Sequence, residues 1–340
     1  MPKKLKLGLT FGYWQAAPPE GFVERSIEAE KLGFDAVWTA EAWGSDAFTP
    51  LAWIGAHTKK IKLGTAIVQL SGRTPTSCAM HALTLDHLSE GRLLLGLGVS
   101  GPQVVEGWYG QPFSKPISRT REYIDIIRQV MRREGPVQND GPHYPLPYTG
   151  EGSWGMGKPL KPITHPLRAD LPIYLGAEGP KNVALAAEVC DGWLPLWNSP
   201  FKPEVYADSL KNAKPDFEIV QNVNVKITDD VESALQAAKP IMGFYIGGMG
   251  SRQRNFHKEL MGRFGYEAEA QQIQDLFFDG KRAEAIAAVP EGFIDEISLI
   301  GPIERIRDRL AAWRESPVTA LAMGGIDLDT MRTMAELVEA

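Results

Sequence analysis

The sequence predicts an α/β fold, a (β/α)8 TIM barrel, and three observations carry that prediction. Apolar runs of strand length alternate about eight times with amphipathic segments of helix length. Most of these runs close on a turn bearing glycine or proline, the punctuation that parallel strands with helical crossovers require. No linker of biased composition divides the 340 residues, so the chain reads as one barrel domain over 1–340 rather than two smaller units.

The units follow in order. Leu5–Phe11 reads as a first strand and Glu20–Leu32 as a helix, with Phe22, Val23, Ile27, Ala29 and Leu32 forming a stripe that stops at Gly33. Asp35–Thr39 and the helix Ala47–His57 form the second unit. Ile61–Val68 and Thr76–Leu88 form the third, ended by Ser89 and Gly91. Arg92–Leu97 is the fourth strand and Arg119–Arg133 its helix. The Pro/Gly-rich stretch 135–168 then interrupts the pattern, and a loop this long usually covers a site or makes an interface. Alternation resumes with Pro172–Leu175, the helix Lys181–Val189, Gly192–Leu194 and the strand Glu218–Lys226. A second, helical insertion covers about 229–288, before Ile303–Trp313, Val318–Met323 and Leu328–Leu337 close the chain.

Composition excludes several classes of function. Hydrophobic residues make up 44% and charged residues 23%, the balance of a soluble globular protein. No apolar run approaches the roughly 18–20 residues needed to cross a bilayer. The opening MPKKLKLGLTF lacks the apolar core of a secretion signal. Two distant cysteines, Cys78 and Cys190, suit a reduced cytoplasmic chain better than a disulfide framework. A net charge of −6 without a basic run argues against nucleic acid as a partner. The six histidines form no metal-binding pair, so no metal is expected.

Two glycine turns carry the chemistry. GLGVSG, Gly96–Gly101, matches the GxGxxG dinucleotide fingerprint, yet it closes a fourth strand instead of opening the chain's first βαβ unit. The acid about twenty residues on, Glu122, lies in a helix and not at a strand end, so the dinucleotide reading fails on context. In a barrel the same turn lies on the C-terminal face, where ligands bind. The second turn, LGAEGPKN over Leu175–Asn182, runs from strand end to helix start, and Lys181 adds a positive charge. Such a turn is either an anion site or a simple helix cap.

The motifs GYWQAAPPEGFVE, FDAVWTAEAWGSDAFTPLAWIGAHT, IKLGTAIVQLSGRTPTSCAMHALTLDHLSEGRLLLGLGVSGPQVVEGWYGQPF and YLGAEGPKNVALAAEVCDGWLP together resemble the luciferase-like monooxygenase superfamily, within it the coenzyme F420-dependent oxidoreductases. The resemblance implies a barrel with a deazaflavin in its C-terminal mouth, and a non-prolyl cis peptide, Ala66–Ile67, against the ring. It implies cofactor contacts from Ala66, Ile67, Gln69, Val99, Ser100, Val104, Glu178, Gly179, Lys181 and Asn182. Glu41 occupies the acidic position near the ring and is the first candidate for proton transfer, on the expectation that an apolar mouth raises its pKa. Trp14, Trp43, Trp108 and Trp197 are candidate walls of a substrate pocket. Arg252 and Arg254 are candidates, with Lys181, for offsetting the cofactor's negative charge.

The sugar-phosphate dehydrogenase branch carries a histidine where this chain has Ala42, and a glutamate where it has Gly101. Its glucose-6-phosphate activity is therefore not carried over. The resemblance implies an enzyme passing a hydride between F420 and a small organic substrate and acting as a homodimer, while the cysteines and the N-terminal segment point to the cytoplasm. A reduced-FMN monooxygenase using molecular oxygen is the alternative, and a member that has lost its cofactor is the third reading.

Overall fold

A computed structural model describes residues 4–339, so the first three residues of the N-terminal segment lie outside the described residues. Its strands are β1 (Lys6–Gly12), β2 (Ala36–Thr39), β3 (Lys62–Thr65), β4 (Val68–Gln69), β5 (Leu93–Gly98), β6 (Ile173–Gly176), β7 (Gly192–Leu194), β8 (Glu218–Ile227), β9 (Ser298–Gly301) and β10 (Ala320–Gly324). All pair in parallel, and β1, β2, β3, β5, β6, β7, β8 and β10 close into a ring of eight. Helices lie between the strands, so this is the (β/α)8 barrel expected from the sequence.

Two departures from the sequence reading matter. Ile61–Val68, expected as one strand, is divided into β3 and β4 by a cis peptide between Ala66 and Ile67. Register runs from Gly64 opposite Leu94 to Val68 opposite Leu97, so one extra residue bulges on this side. The second departure is β9, a strand outside the ring. It pairs with Asn224–Ile227 of β8, while Val220–Val223 of the same strand pair with β10.

The barrel interior is filled by a small cluster: Ala36, Trp38, Leu94, Tyr174, Val220, Ala320 and Ala322. Their sequence neighbours Val37, Leu93, Leu95, Ile173, Leu175, Ile219 and Leu321 face the helices in the main core. Both sets are apolar because a parallel sheet in a barrel is covered on both faces. Trp38 and Tyr174 meet edge to face, with ring centroids 5.7 Å apart. They fit because glycines stand opposite: a Cβ on Gly64 would lie 2.1 Å from the Trp38 ring, and one on Gly192 would lie 2.3 Å from Tyr174. Below them Glu218 accepts from Lys6 and from the Tyr174 hydroxyl, closing the N-terminal end of the barrel with a half-buried polar group that is paired.

Helix starts follow local chemistry. Pro75–Leu88, Pro116–Arg132 and Pro180–Val189 each open on proline, whose fixed φ suits the first helical position. The stretch 135–168 is irregular, held by antiparallel bridges at Val137–Leu160 and Asn139–Leu146. Glu122 pins it: its carboxylate accepts from the Asn139 side chain and from the backbone N–H of His143 and Tyr144. The second insertion extends further than the sequence suggested, with helices at Val231–Gly248, Phe256–Met261, Glu267–Phe278, Arg282–Ala287 and Glu291–Glu296. Among the described residues no helix is long and apolar enough to cross a membrane.

A Cβ on Gly96 would lie 1.8 Å from the Thr65 carbonyl, a backbone contact that no rotamer change relieves, and 2.7 Å from the Leu194 side chain. Gly96→Ala is therefore expected to destabilise the fold by about 2–3 kcal/mol, the range for overpacking against backbone. Gly107→Ala, where a Cβ meets nothing within 4 Å, serves as the neutral control. Urea denaturation of both variants measures the difference.

Candidate active site

Side-chain alternation assigns what faces the axis at the C-terminal end of the barrel. On β6, Tyr174 points inward and Gly176 shares its side of the strand, with Glu178 in the turn two residues past the strand end. On β2, Trp38 points inward, and Ala40, Glu41 and Ala42 follow in the loop past the strand end. The bulge at Ala66–Ile67 turns Ile67 across the neighbouring strands. Its side chain would lie 2.8 Å from a Cβ on Gly98 and 2.9 Å from one on Gly176. Only glycine at both positions lets Ile67 lie flat there, giving the mouth an apolar floor.

The setting of Glu41 differs from the apolar one expected. Its Oε1 accepts from the Gln69 backbone N–H at 2.8 Å and from Arg73 Nη1 at 2.8 Å. Its Oε2 accepts from the Ala47 N–H at 3.3 Å and again from Arg73 at 3.0 Å. The carboxylate is buried and both oxygens are occupied by donors. Gln69 completes the lacing by donating its Nε2 to the carbonyls of Glu41 and Ala42. This leaves Gln69 Oε1 buried with no partner among the described residues.

At the end of β5, Ser100 adopts a left-handed backbone (φ 58°) and Val104 lies in the short helix Pro102–Gly107. At the end of β6, Gly179 caps the helix Pro180–Val189, and a Cβ there would meet nothing within 4 Å. Lys181 is exposed on the first turn, while Asn182 Oδ1 is buried without a partner among the described residues. Burial pushes the Glu178 carboxyl up to about 8, against the opposing pull of the Arg263 guanidinium and the Leu196 N–H. Its Oε2 also has no partner among the described residues.

The four tryptophans part company. Trp197 is packed among Tyr245, His257 and Phe293, with centroids 5.7–6.0 Å away. Trp14 is half-buried against Phe22, whereas Trp43 (49% exposed) and Trp108 (63%) stand in solvent. Burial pushes the His257 imidazole down to about 4, which keeps it neutral near pH 7. Arg252 is committed to Asp275 and Asp279, and Arg254 lies over the Phe256 ring. The cation beside the β6 turn is Arg263, whose Nη1 donates to the Glu178 carbonyl at 3.1 Å. Arg73, Arg263 and Tyr245 were missed in the sequence. Arg73 carries a local signal, four residues beyond Gln69 in the glycine-bearing loop that ends the third strand. Arg263 and Tyr245 come from the second insertion, where no spacing links them to the mouth.

Arg73→Met would strand the Glu41 carboxylate, whose side chain is only 4% exposed. A loss of about 3–5 kcal/mol is expected, most of it recovered in the double variant with Glu41→Gln. Denaturant midpoints of the single and double variants decide this.

The description "Luciferase-like monooxygenase" belongs to the family whose profile matches residues 10–320. A Mycobacterium tuberculosis protein, provisionally named a coenzyme F420-dependent oxidoreductase, is 53% identical over 99% of this chain and 100% of its own length. The solved structure of the coenzyme F420-dependent tetrahydromethanopterin reductase of Methanopyrus kandleri superposes with a TM-score of 0.79 at 22% identity, covering 99% of each chain. An F420-dependent secondary alcohol dehydrogenase, solved with an F420–acetone adduct, superposes at 0.75 with 18% identity and 98% coverage of each chain. At such identities the structural likeness is one of fold. The profile match and the end-to-end relative go further: this chain belongs to the luciferase-like monooxygenase family.

Proposed function

We propose that this chain is a coenzyme F420-dependent oxidoreductase that passes a hydride between the deazaflavin and a small organic substrate at the C-terminal mouth. The observation that carries the reading is the 53% identity, over 99% of this chain, to the mycobacterial relative of that provisional name. The residues fit such a group. Gln69 Oε1 and Asn182 Oδ1 are buried acceptors in need of donors, which the ring and its polyhydroxyl chain provide. Ile67 offers a flat apolar floor over Gly98 and Gly176.

In this reading Ala66, Ile67 and Gln69 hold the ring, with Val99, Ser100 and Val104 as its lateral wall. The turn Glu178–Asn182 holds the phosphate at the start of the helix Pro180–Val189, with Lys181 adding charge and open space above Gly179 admitting the group. The bound deazaflavin would supply a carbon that carries a hydride pair. The chain's own part is to orient the partners, exclude water and manage one proton. Glu41 acts as a positioning residue, fixing Gln69 and Arg73 under the mouth. Trp197 and Tyr245 form the substrate wall, with Trp14, Trp43 and Trp108 at its rim.

Equilibrium titration with F420 and with FMN, each oxidised and reduced, tests the reading. Micromolar F420 binding and weaker FMN binding are expected. FMN binding without F420 binding would overturn the reading in favour of a reduced-FMN monooxygenase. Gly179→Leu is expected to weaken F420 at least tenfold with the melting temperature unchanged, since its φ is −77° and a side chain has room.

The homodimer is supported by two neighbouring helices. Phe48–His57 carries no Lys, Arg, Asp or Glu, and Pro75–Leu88 carries only Asp86, which is buried. Their outer faces expose Trp53, Met80 and Leu88, a composition suited to an interface. Two free, buried cysteines suit a reducing compartment, and the cytoplasm is the location we propose. Light scattering is expected to give a dimer mass, and Trp53→Glu with Leu88→Glu a folded monomer.

A further inference from the structure

Resting on the F420 reading above, we propose that Asn222 orients the substrate against the deazaflavin. The substrate it fits is a small, uncharged organic compound with a hydroxyl, carbonyl or amide group away from its reacting carbon. The alternation along β8 carries this assignment. Val220 belongs to the cluster inside the barrel, whereas Ile219, Val223 and Val225 face the helices in the main core. Asn222 and Asn224 follow Val220 on the inner side, and Asn222 stands in register with Ala322, another member of the inner cluster. Both asparagines are exposed, although the outward residues on either side of them are buried.

An exposed side chain on the inside of a closed barrel is reached through one of its ends. The N-terminal end is filled by Trp38 and Tyr174 and closed by Glu218 and Lys6, so Asn222 opens to the C-terminal mouth. The seam beside it is shut as well. The β7–β8 ladder stops at Trp193 opposite Ile219, and beyond it the buried Gln221 donates its Nε2 to the Leu196 carbonyl at 3.2 Å. Gln221 also donates to the Asn222 carbonyl, which steadies the backbone that carries the carboxamide. Among the described residues no hydrogen bond engages the side chain of Asn222 or Asn224.

Position around the barrel gives Asn222 its role. Ile67 lies over Gly98 of β5 and Gly176 of β6, the floor on which the deazaflavin rests in this reading. Four strands on from β5 and β6 in the ring of eight stand β10 and β1, with β8 beside β10. On this facing arc the inward strand residues towards the mouth are Thr10, Gly324, Asn222 and Asn224. A Cβ on Gly324 would lie 3.0 Å from the Thr10 side chain, so those two share a side. The Thr10 hydroxyl already accepts from the Gly12 N–H at 3.3 Å, whereas Asn222 offers two N–H donors and a carbonyl acceptor. The next residue on that side of β8 is Lys226, whose charge is offset by the nearby Asp327. An uncharged carboxamide repays the desolvation of a hydroxyl, carbonyl or amide, but not that of a carboxylate or phosphate.

The test uses the whole protein with bound F420. The probes are cyclohexanone and cyclohexenone, each with and without a ring hydroxyl, and the carboxylate-bearing analogue of each. Wild type should favour the hydroxylated over the unsubstituted compound by roughly tenfold in kcat/KM, and should reject the carboxylates. Asn222→Ala should erase that preference, and Asn222→Asp, which keeps an acceptor, should restore it in part. F420 affinity and melting temperature should be unchanged in both variants. A preference that survives Asn222→Ala, or a wild-type preference for the carboxylates, overturns the proposal. So does a loss of F420 affinity in Asn222→Ala, which would put the residue in the cofactor site. Binding is read apart from turnover by nuclear magnetic resonance of protein labelled at asparagine nitrogen, where the side-chain signal missing in Asn222→Asp identifies Asn222. A hydroxylated probe should shift that signal more than its unsubstituted partner. If no probe turns over and none shifts the signal, the assignment is wrong. Failure of F420 to bind the wild type would instead refute the functional reading beneath it.

Discussion

The clamp between Glu41 and Arg73 is the constraint on which the mouth of this barrel is built. One carboxylate receives donors from the loop after β2, from β4 and from the segment leading to the helix Pro75–Leu88. Arg73 in turn leaves its carbonyl to the Tyr123 hydroxyl, so the helix Pro116–Arg132 is tied into the same knot. Removing one partner exposes the other to a buried environment without its counter-charge, which is why such a pair is costly to break even where it adds little net stability. Because β4 is fixed in this way, Ile67 is held over Gly98 and Gly176, and the floor of the mouth is set before any ligand arrives.

Two carboxylates just past strand ends meet different surroundings. Glu41 and Glu178 both lie in glycine-bearing or aromatic loops, and composition does not distinguish them. Glu41 is paired with the Arg73 guanidinium, whereas one oxygen of Glu178 is buried without a partner among the described residues. Burial with little compensation pushes the Glu178 carboxyl up, a difference that only the folded chain creates.

How much of this is legible in the sequence depends on the distance over which the causes act. The strands and helices are local, so periodicity and proline or glycine punctuation give the alternation, and closure into a barrel follows from their number. The interruption at Ala66–Ile67 leaves no trace in hydropathy and came only through resemblance, as did the cofactor positions. β9 escaped because ISLIG follows directly on a helical run without a turn signal of its own. Arg73, Arg263 and Tyr245 became visible only in three dimensions, since contacts across 32 to 85 residues have no periodicity.

The plug of Trp38 and Tyr174, sealed below by Glu218 and Lys6, bears on traffic through the protein. With the opposite end filled by side chains, the mouth is both entrance and exit. On the proposed reading, a large cofactor on the floor and a small substrate above it would have to queue, the deeper one entering first and leaving last. Such a vessel would order its traffic by architecture, without a switch or moving part to enforce the sequence.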